Sequence, residues 1–198
     1  MKNILVIGAG PVGSLLPIYL ARAGHNVKVY ERRPDMRAHD IPAGRSINLA
    51  CSDRGFFAMD TAGVGDRVRG AAIPMYGRMM HSTKSELTYQ AYGKSDQAIY
   101  AISRGGINEE LIRAADEYDN ITFSFDQKCT LVNLETPEAS FEHIHSGAKT
   151  NIRPDIIIGS DGAFSAVRKQ MMRQDRFDYQ QFYLPHGYKE LFIPAGEN

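Results

Sequence analysis

The sequence predicts an α/β fold: a parallel sheet wound on a strand–helix–strand unit. Three observations carry that prediction. Ile4-Leu5-Val6-Ile7-Gly8-Ala9-Gly10-Pro11-Val12-Gly13 joins four apolar, mostly β-branched residues to a G-x-G-x-x-G spacing. An apolar helical pattern from Leu15 to Ala23 follows, and a second apolar run, Val27-Lys28-Val29-Tyr30, ends on Glu31. Much later, Asp155-Ile156-Ile157-Ile158-Gly159 is another apolar run, leading through Ser160-Asp161-Gly162 into a helical pattern. Such continuous apolar runs suit parallel strands buried on both faces.

The opening unit has the pattern of a Rossmann-type dinucleotide-binding site. Gly8 allows the tight turn out of the strand. Gly10 lets the backbone approach a pyrophosphate that a Cβ would block. Gly13 lets the helix pack close to the sheet. The helix N-terminus then offers unpaired N–H groups and a positive dipole end to the phosphates. Glu31 stands where an acid accepts from the hydroxyls of an adenosine ribose. A carboxylate there repels a 2′-phosphate, so the site favours FAD or NAD over NADP. Pro17 falls inside the helical pattern, where it lacks an N–H and clashes with the preceding turn; a kink is expected there.

Farther along, Arg32-Arg33-Pro34-Asp35 is charged and turn-forming. Ser52 or Asp53 can cap a helix from about Arg54 to Ala62, with Gly63 as its stop. Ile73 to Lys94 is strand-like but irregular. Ala98 to Ser103 predicts a strand and Asn108 to Tyr118 an amphipathic helix with Leu111, Ile112 and Ala115 inward. Ile121 to Phe125 alternates as a strand does. Thr130 to Leu134 and Ser140 to Ile144 suggest a small ribbon beside the main sheet. A helix is expected from about Ser165 to Met172 and a further strand from Gly187 to Ile193.

Composition excludes several classes. With 23 basic and 23 acidic residues the net charge is zero, which leaves no nucleic-acid footprint and no polybasic membrane patch. No apolar run approaches the roughly 20 residues needed to span a bilayer, and the N-terminus lacks a signal-peptide pattern. The two cysteines, Cys51 and Cys129, form no C-x-x-C and no disulfide framework, so a reducing, cytoplasmic setting is expected. His143 and His145 could share one strand face, but no third ligand is near in sequence and a solvated face is the reading; no metal is expected. No nucleophile elbow is present and no catalytic nucleophile is assigned.

The D-G element at Asp161-Gly162, read with the opening motif, is similar to that of flavoprotein aromatic hydroxylases. The resemblance narrows at Gly44-Arg45-Ser46-Ile47-Asn48-Leu49-Ala50, at Ser52 and Arg54-Gly55, and at Ile73-Pro74-Met75 with Arg78-Met79 and His81-Ser82. It continues through Arg176-Phe177-Asp178-Tyr179, Gln181, Tyr183, Pro185-His186-Gly187-Tyr188 and Glu190-Leu191. These stretches resemble the kynurenine 3-monooxygenase family, most of all its bacterial members. The resemblance covers all 198 residues, which match roughly the N-terminal half of such an enzyme.

That resemblance implies a non-covalently held FAD, with NADPH as a transient co-substrate. It implies hydroxylation of L-kynurenine to 3-hydroxykynurenine with oxygen, through a flavin hydroperoxide, in tryptophan degradation and NAD biosynthesis. Besides Gly8, Gly10 and Gly13, it carries FAD contacts to Val12, Tyr30, Glu31, Arg32, Arg33, Ala50, Arg104, Cys129, Asp161, Gly162 and Ala166. It assigns the substrate carboxylate to Arg78 and Tyr92, a guanidinium fork and a phenol donor. Residues 1–72 and 98–174 would form two parts of the FAD-binding domain; 73–97 and 175–198 would belong to a smaller substrate domain, incomplete here. The family's second flavin-binding segment, a Gly-Asp followed by small residues and a His, has no match; Gly65-Asp66 continues as Arg67-Val68. The chain is therefore expected to be a fragment, inactive alone. Two alternatives stand beside this one: another FAD-dependent oxidoreductase of the same fold, and a noncatalytic FAD- or NAD-binding module.

Overall fold

The computed structural model describes residues 1–38 and 49–187. The chain opens with β1 (Asn3–Ile7), α1 (Pro11–Arg22) and β2 (Asn26–Tyr30). Next come β3 (Leu49–Cys51), α2 (Asp53–Thr61), α3 (Gly65–Gly70) and β4 (Ile73–Met75). A hairpin of β5 (Gly77–His81) and β6 (Leu87–Ala91) precedes β7 (Ile99–Ile102), α4 (Arg104–Ala115) and β8 (Ile121–Ser124). The described part closes with β9 (Gln127–Asn133), β10 (Glu138–His143), β11 (Lys149–Ile152), β12 (Ile156–Gly159) and α5 (Ala166–Met171).

The predicted parallel sheet is present, in the order β12-β1-β2-β8. One row of β-branched residues crosses it: Ile156 pairs with Ile4, Ile4 with Val27, and Val27 with Ile121. Alternation along β1 divides the core in two. Ile4 and Val6 face a cluster with Ile18 of α1 and Leu111 and Ala115 of α4. Leu5 and Ile7 face the other way, onto Val132, Ala139, Phe141 and Val167. The first face is thus covered by helices, the second by a three-stranded antiparallel sheet, β11-β10-β9, with α5 beside it. α1 continues through Pro17, which is buried.

The structure differs from the sequence expectations at several elements. The ribbon has a third strand, β11, whose residues Lys-Thr-Asn-Ile carry no apolar alternation. α4 begins four residues earlier than expected, at Arg104, because the Ser103 hydroxyl accepts the Gly106 N–H at 2.9 Å and caps it. Two glycines in its first turn hid that start. The irregular stretch after Ile73 becomes β4, which pairs with β7, and the β5–β6 hairpin. Residues 39–48 and 188–198 lie outside the described residues, so most of the Gly44 to Ala50 stretch and nearly all of the Gly187 to Ile193 strand do too.

Phe141 is the largest side chain buried below the sheet, at 1% exposure, with its ring 4.3 Å from that of Tyr30. Phe141→Ala is expected to destabilise folding by about 3–5 kcal/mol through the lost burial and the cavity left behind. Urea denaturation should show a lower midpoint at unchanged slope; an unchanged midpoint would mean that this face of β1 contributes little.

Candidate functional site

A cavity of about 1350 Å³ opens at the carboxyl ends of β1, β2 and β12, where ligands bind in open α/β sheets. Its floor is the turn through Gly8 and Gly10. One wall is Tyr30 to Arg33, leaving β2. Another is Ser103 to Gly106, at the start of α4. The far side is formed by Gln127 to Thr130 on β9 and by the loop Ser160 to Phe164.

The three motif glycines answer three different constraints. Gly8 has φ +99°, and a Cβ there would lie 2.7 Å from the Asp161 Cα and from the Ser160 carbonyl oxygen. A Cβ at Gly13 would come within 1.8 Å of the Gly8 carbonyl oxygen, so only glycine lets α1 start this close to β1. A Cβ at Gly10 would meet nothing within 4 Å. Gly10 borders the cavity, so the space beside it is open to a ligand rather than filled by protein. α1 is not capped by a side chain, which leaves its first N–H groups for an anion.

Glu31 is buried at 6% exposure. Its Oε2 accepts the Ala9 N–H at 2.7 Å; its Oε1 accepts the Arg33 N–H and Nε–H, both at 2.9 Å. Two carboxylate oxygens offer about four acceptor sites, so roughly one remains for a ribose hydroxyl. Arg33 is paired with Glu31, whereas Arg104, the first residue of α4, faces the cavity with no hydrogen bond or ion pair among the described residues. An unpaired guanidinium beside an uncapped helix N-terminus suits a diphosphate.

Asp161 has a local task. Its Oδ1 accepts the Ser165 hydroxyl at 2.5 Å, and its Oδ2 accepts the N–H groups of Ala166 at 2.6 Å and Val167 at 3.3 Å. It therefore orders the start of α5 while bordering the cavity. Gly162, at φ +75°, makes the turn. Burial pushes the Cys129 thiol up to about 11, and the nearby Asp161 carboxylate adds to the shift.

The residues fit a dinucleotide: open backbone at Gly10, free helix N–H groups, a cation and a carboxylate along one cavity. The sequence pattern of a family described as FAD binding domain matches residues 1–181. The chain belongs to the FAD binding domain family. Kynurenine 3-monooxygenase of Flavobacterium psychrophilum is 47% identical over 98% of this chain and 43% of its own length. The protein of that name from Drosophila willistoni is 40% identical over 100% of this chain and 44% of its own. The chain thus spans less than half the length of these curated relatives. Among solved structures, p-nitrophenol 4-monooxygenase PnpA of Pseudomonas putida aligns with TM-score 0.68 at 20% identity, over 85% of this chain and 43% of that one. The flavin-dependent monooxygenase PieE, solved with FAD and substrate, gives 0.68 at 18%, over 86% and 32%. At such identities these likenesses show the fold.

In this FAD binding domain most of the sequence-predicted cofactor residues line the one cavity. Val12 stands at its mouth, 68% exposed. Tyr30, Arg32, Cys129, Gly162 and Ala166 also border it. Gly13 does not, being packed beneath the turn, and Ala50 is exposed on β3 beside Leu49, which does line the cavity. Arg78 and Tyr92 are elsewhere, on the β5–β6 hairpin. Arg78 pairs with Gln90 in register and donates to its side chain at 2.8 Å. Tyr92 lies two residues beyond Gln90, and its N–H donates to the Tyr76 carbonyl, so the hairpin ladder sets Arg78, Gln90 and Tyr92 on one face.

Sequence reasoning missed Asn108, Ser14 and Arg168. Asn108 and Ser14 are buried beneath the glycine turn and bonded to its backbone. Arg168 holds the loop after Gly162 by donating to the carbonyls of Gly162 and Ala163. Helical periodicity marks Asn108 only as a polar residue on an inward face. Among the described residues no group of three or more His, Cys, Asp or Glu could hold a metal ion. Nor is any described helix long and apolar enough to cross a membrane.

Raising the Cys129 pKa from 9.0 to about 11 keeps the thiol protonated well into the alkaline range. Alkylation by iodoacetamide at pH 8 should run about 100-fold slower than for an unperturbed thiol, from the thiolate fraction alone. The unfolded chain loses this proton first. The associated stability is therefore full below pH 9.0 and lost as the pH climbs toward 11. A Cys129 alkylation rate equal to that of a free thiol would refute the shift.

Proposed function

We propose that this chain is the FAD-binding portion of an enzyme that hydroxylates L-kynurenine to 3-hydroxykynurenine, consuming NADPH and oxygen. The observation that carries the reading is identity of 40–47% to kynurenine 3-monooxygenases, sustained over 98–100% of the chain. The cavity supports the cofactor half of it. FAD supplies the redox and oxygen chemistry; the residues of this chain bind it and orient the reactants.

The roles follow from what each group can do. The N–H groups at the start of α1 and the Arg104 guanidinium would hold the diphosphate. Glu31 accepts a ribose hydroxyl with its remaining lone pair and keeps the Ala9 N–H and Arg33 in place. Cys129 and Ala166 contribute backbone surface. Arg78 and Tyr92 receive the α-carboxylate of the substrate, the guanidinium by two charge-assisted bonds and the phenol by a third. Residues 1–72 and 98–174 form the FAD-binding domain, with 73–97 and 175–198 belonging to a substrate domain. Arg78 and Tyr92 are exposed among the described residues, so turnover requires further surface that closes over them and excludes water from the ring.

The test is kynurenine-dependent NADPH oxidation by the longer parent polypeptide, with the product identified. Stoichiometric 3-hydroxykynurenine supports the reading; hydrogen peroxide alone favours a different FAD-dependent oxidoreductase. Glu31→Ala should leave the purified parent largely colourless. Arg78→Ala should raise the KM for kynurenine by a factor corresponding to about 2–5 kcal/mol if the pair is desolvated, with flavin content unchanged. Full flavin occupancy in the first variant, or an unchanged KM in the second, removes that residue from its assigned role.

A further inference from the structure

The floor of the cavity contains a polar cluster that the cofactor contacts do not use. Asn108 of α4 is 1% exposed, and Ser14 of α1 is fully buried. The Asn108 Nδ2 donates to the Ala9 carbonyl at 2.7 Å. That carbonyl can only accept, which fixes the amide group with its NH₂ toward the turn. The Ser14 hydroxyl lies 3.2 Å from the same carbonyl and 3.1 Å from the Asn108 Oδ1. The Asn108 Nδ2 also lies 3.4 Å from the Met36 sulfur. Two side chains from two helices thus converge on one carbonyl oxygen, in the middle of G-x-G-x-x-G.

The consequence follows from peptide planarity. In a trans peptide the C=O and the following N–H point in opposite directions, and no cis peptide occurs among the described residues. Pulling the Ala9 carbonyl inward therefore aims the Gly10 N–H outward. Gly10 borders the cavity, and its N–H has no hydrogen bond among the described residues. Turning this one peptide over would carry the φ of Gly10 from −72° into the positive region, which glycine enters without a Cβ penalty. The glycine that makes room for a ligand also makes its own amide free to turn away from it.

We infer that Asn108 is a positioning residue for the cofactor diphosphate: it locks the Ala9–Gly10 peptide so that the Gly10 N–H is presented to a phosphate oxygen. Glu31 holds the preceding peptide through the Ala9 N–H, so two successive peptides are fixed from β2 and α4. Arg104 lies four residues before Asn108 on the same face of α4. One helix would therefore supply both a cation for the diphosphate and the restraint on the amide that meets it. The inference rests on the FAD reading of the cavity.

The experiment uses the full-length parent protein, stripped of flavin and titrated with FAD, together with ³¹P NMR of the bound diphosphate. Asn108→Ala is expected to raise the dissociation constant about tenfold and to move the ³¹P resonances. Asn108→Asp, which keeps the shape and replaces the donor with an acceptor, should weaken binding at least as much. Leu111→Ala, one turn along the same buried face, controls for loss of packing. It should lower the thermal midpoint as much or more, while leaving the dissociation constant within about threefold and the ³¹P spectrum unmoved. If Asn108→Ala does not fold, Ser14→Ala carries the test, with a smaller loss of affinity in the same direction and the same ³¹P displacement. Unchanged FAD affinity in Asn108→Asp or Ser14→Ala overturns the inference, as does a loss in Asn108→Ala no greater than in Leu111→Ala. Absence of FAD binding by the unsubstituted protein would instead overturn the cofactor reading on which it rests.

Discussion

The close approach of three backbone segments at Gly8 is the constraint on which the rest of this structure depends. The turn out of β1, the first turn of α1 and the Ser160–Asp161 backbone meet there with no space for a side chain at Gly8 or Gly13. Ser160 fastens the junction: its hydroxyl lies 3.0 Å from the Ile7 carbonyl and 2.7 Å from the Gly8 carbonyl. Because β12 pairs with β1 in parallel, the chain leaving β12 arrives beside the chain leaving β1. The register of Ile7 with Gly159 therefore decides that the loop carrying Asp161 and Gly162 borders the same cavity as Gly10. Two motifs separated by some 150 residues of sequence become a single wall.

The division of β1 into two faces extends that constraint through the molecule. One face is covered by α1 and α4, so the N-termini of both helices come to the same end of the sheet. The other face is covered by β9–β11 and α5, which bring Cys129 and Ala166 to that end from below. The cavity is thus the place where both layers over the sheet stop. Its polar groups are helix termini, loop backbone and charged side chains such as Glu31 and Arg104, while its shape comes from apolar packing several residues away.

Much of this was legible in the sequence, and the remainder was not for identifiable reasons. The glycine spacing, Glu31 and the apolar run before Asp161 are local patterns, and local patterns report local structure. The start of α4 was obscured because glycines at positions 105 and 106 argue against a helix, while the Ser103 cap that overrides them acts through one hydrogen bond. β11 was missed because Lys-Thr-Asn-Ile lacks alternation; its pairing with β10 supplies what its composition does not. Asn108 and Ser14 were missed because their partner, the Ala9 carbonyl, is a backbone atom. No side-chain pattern records a bond to backbone made 99 residues away.

The β5–β6 hairpin has the opposite character to the glycine junction. Its ladder bonds run within itself, and among the described residues no backbone bond ties it to the parallel sheet. Its outward residues can therefore change without disturbing the register of β1 or the packing at Gly8. In mechanical terms the hairpin is a separate lever: strain applied at its tip is borne by its own ladder before any reaches the glycine junction.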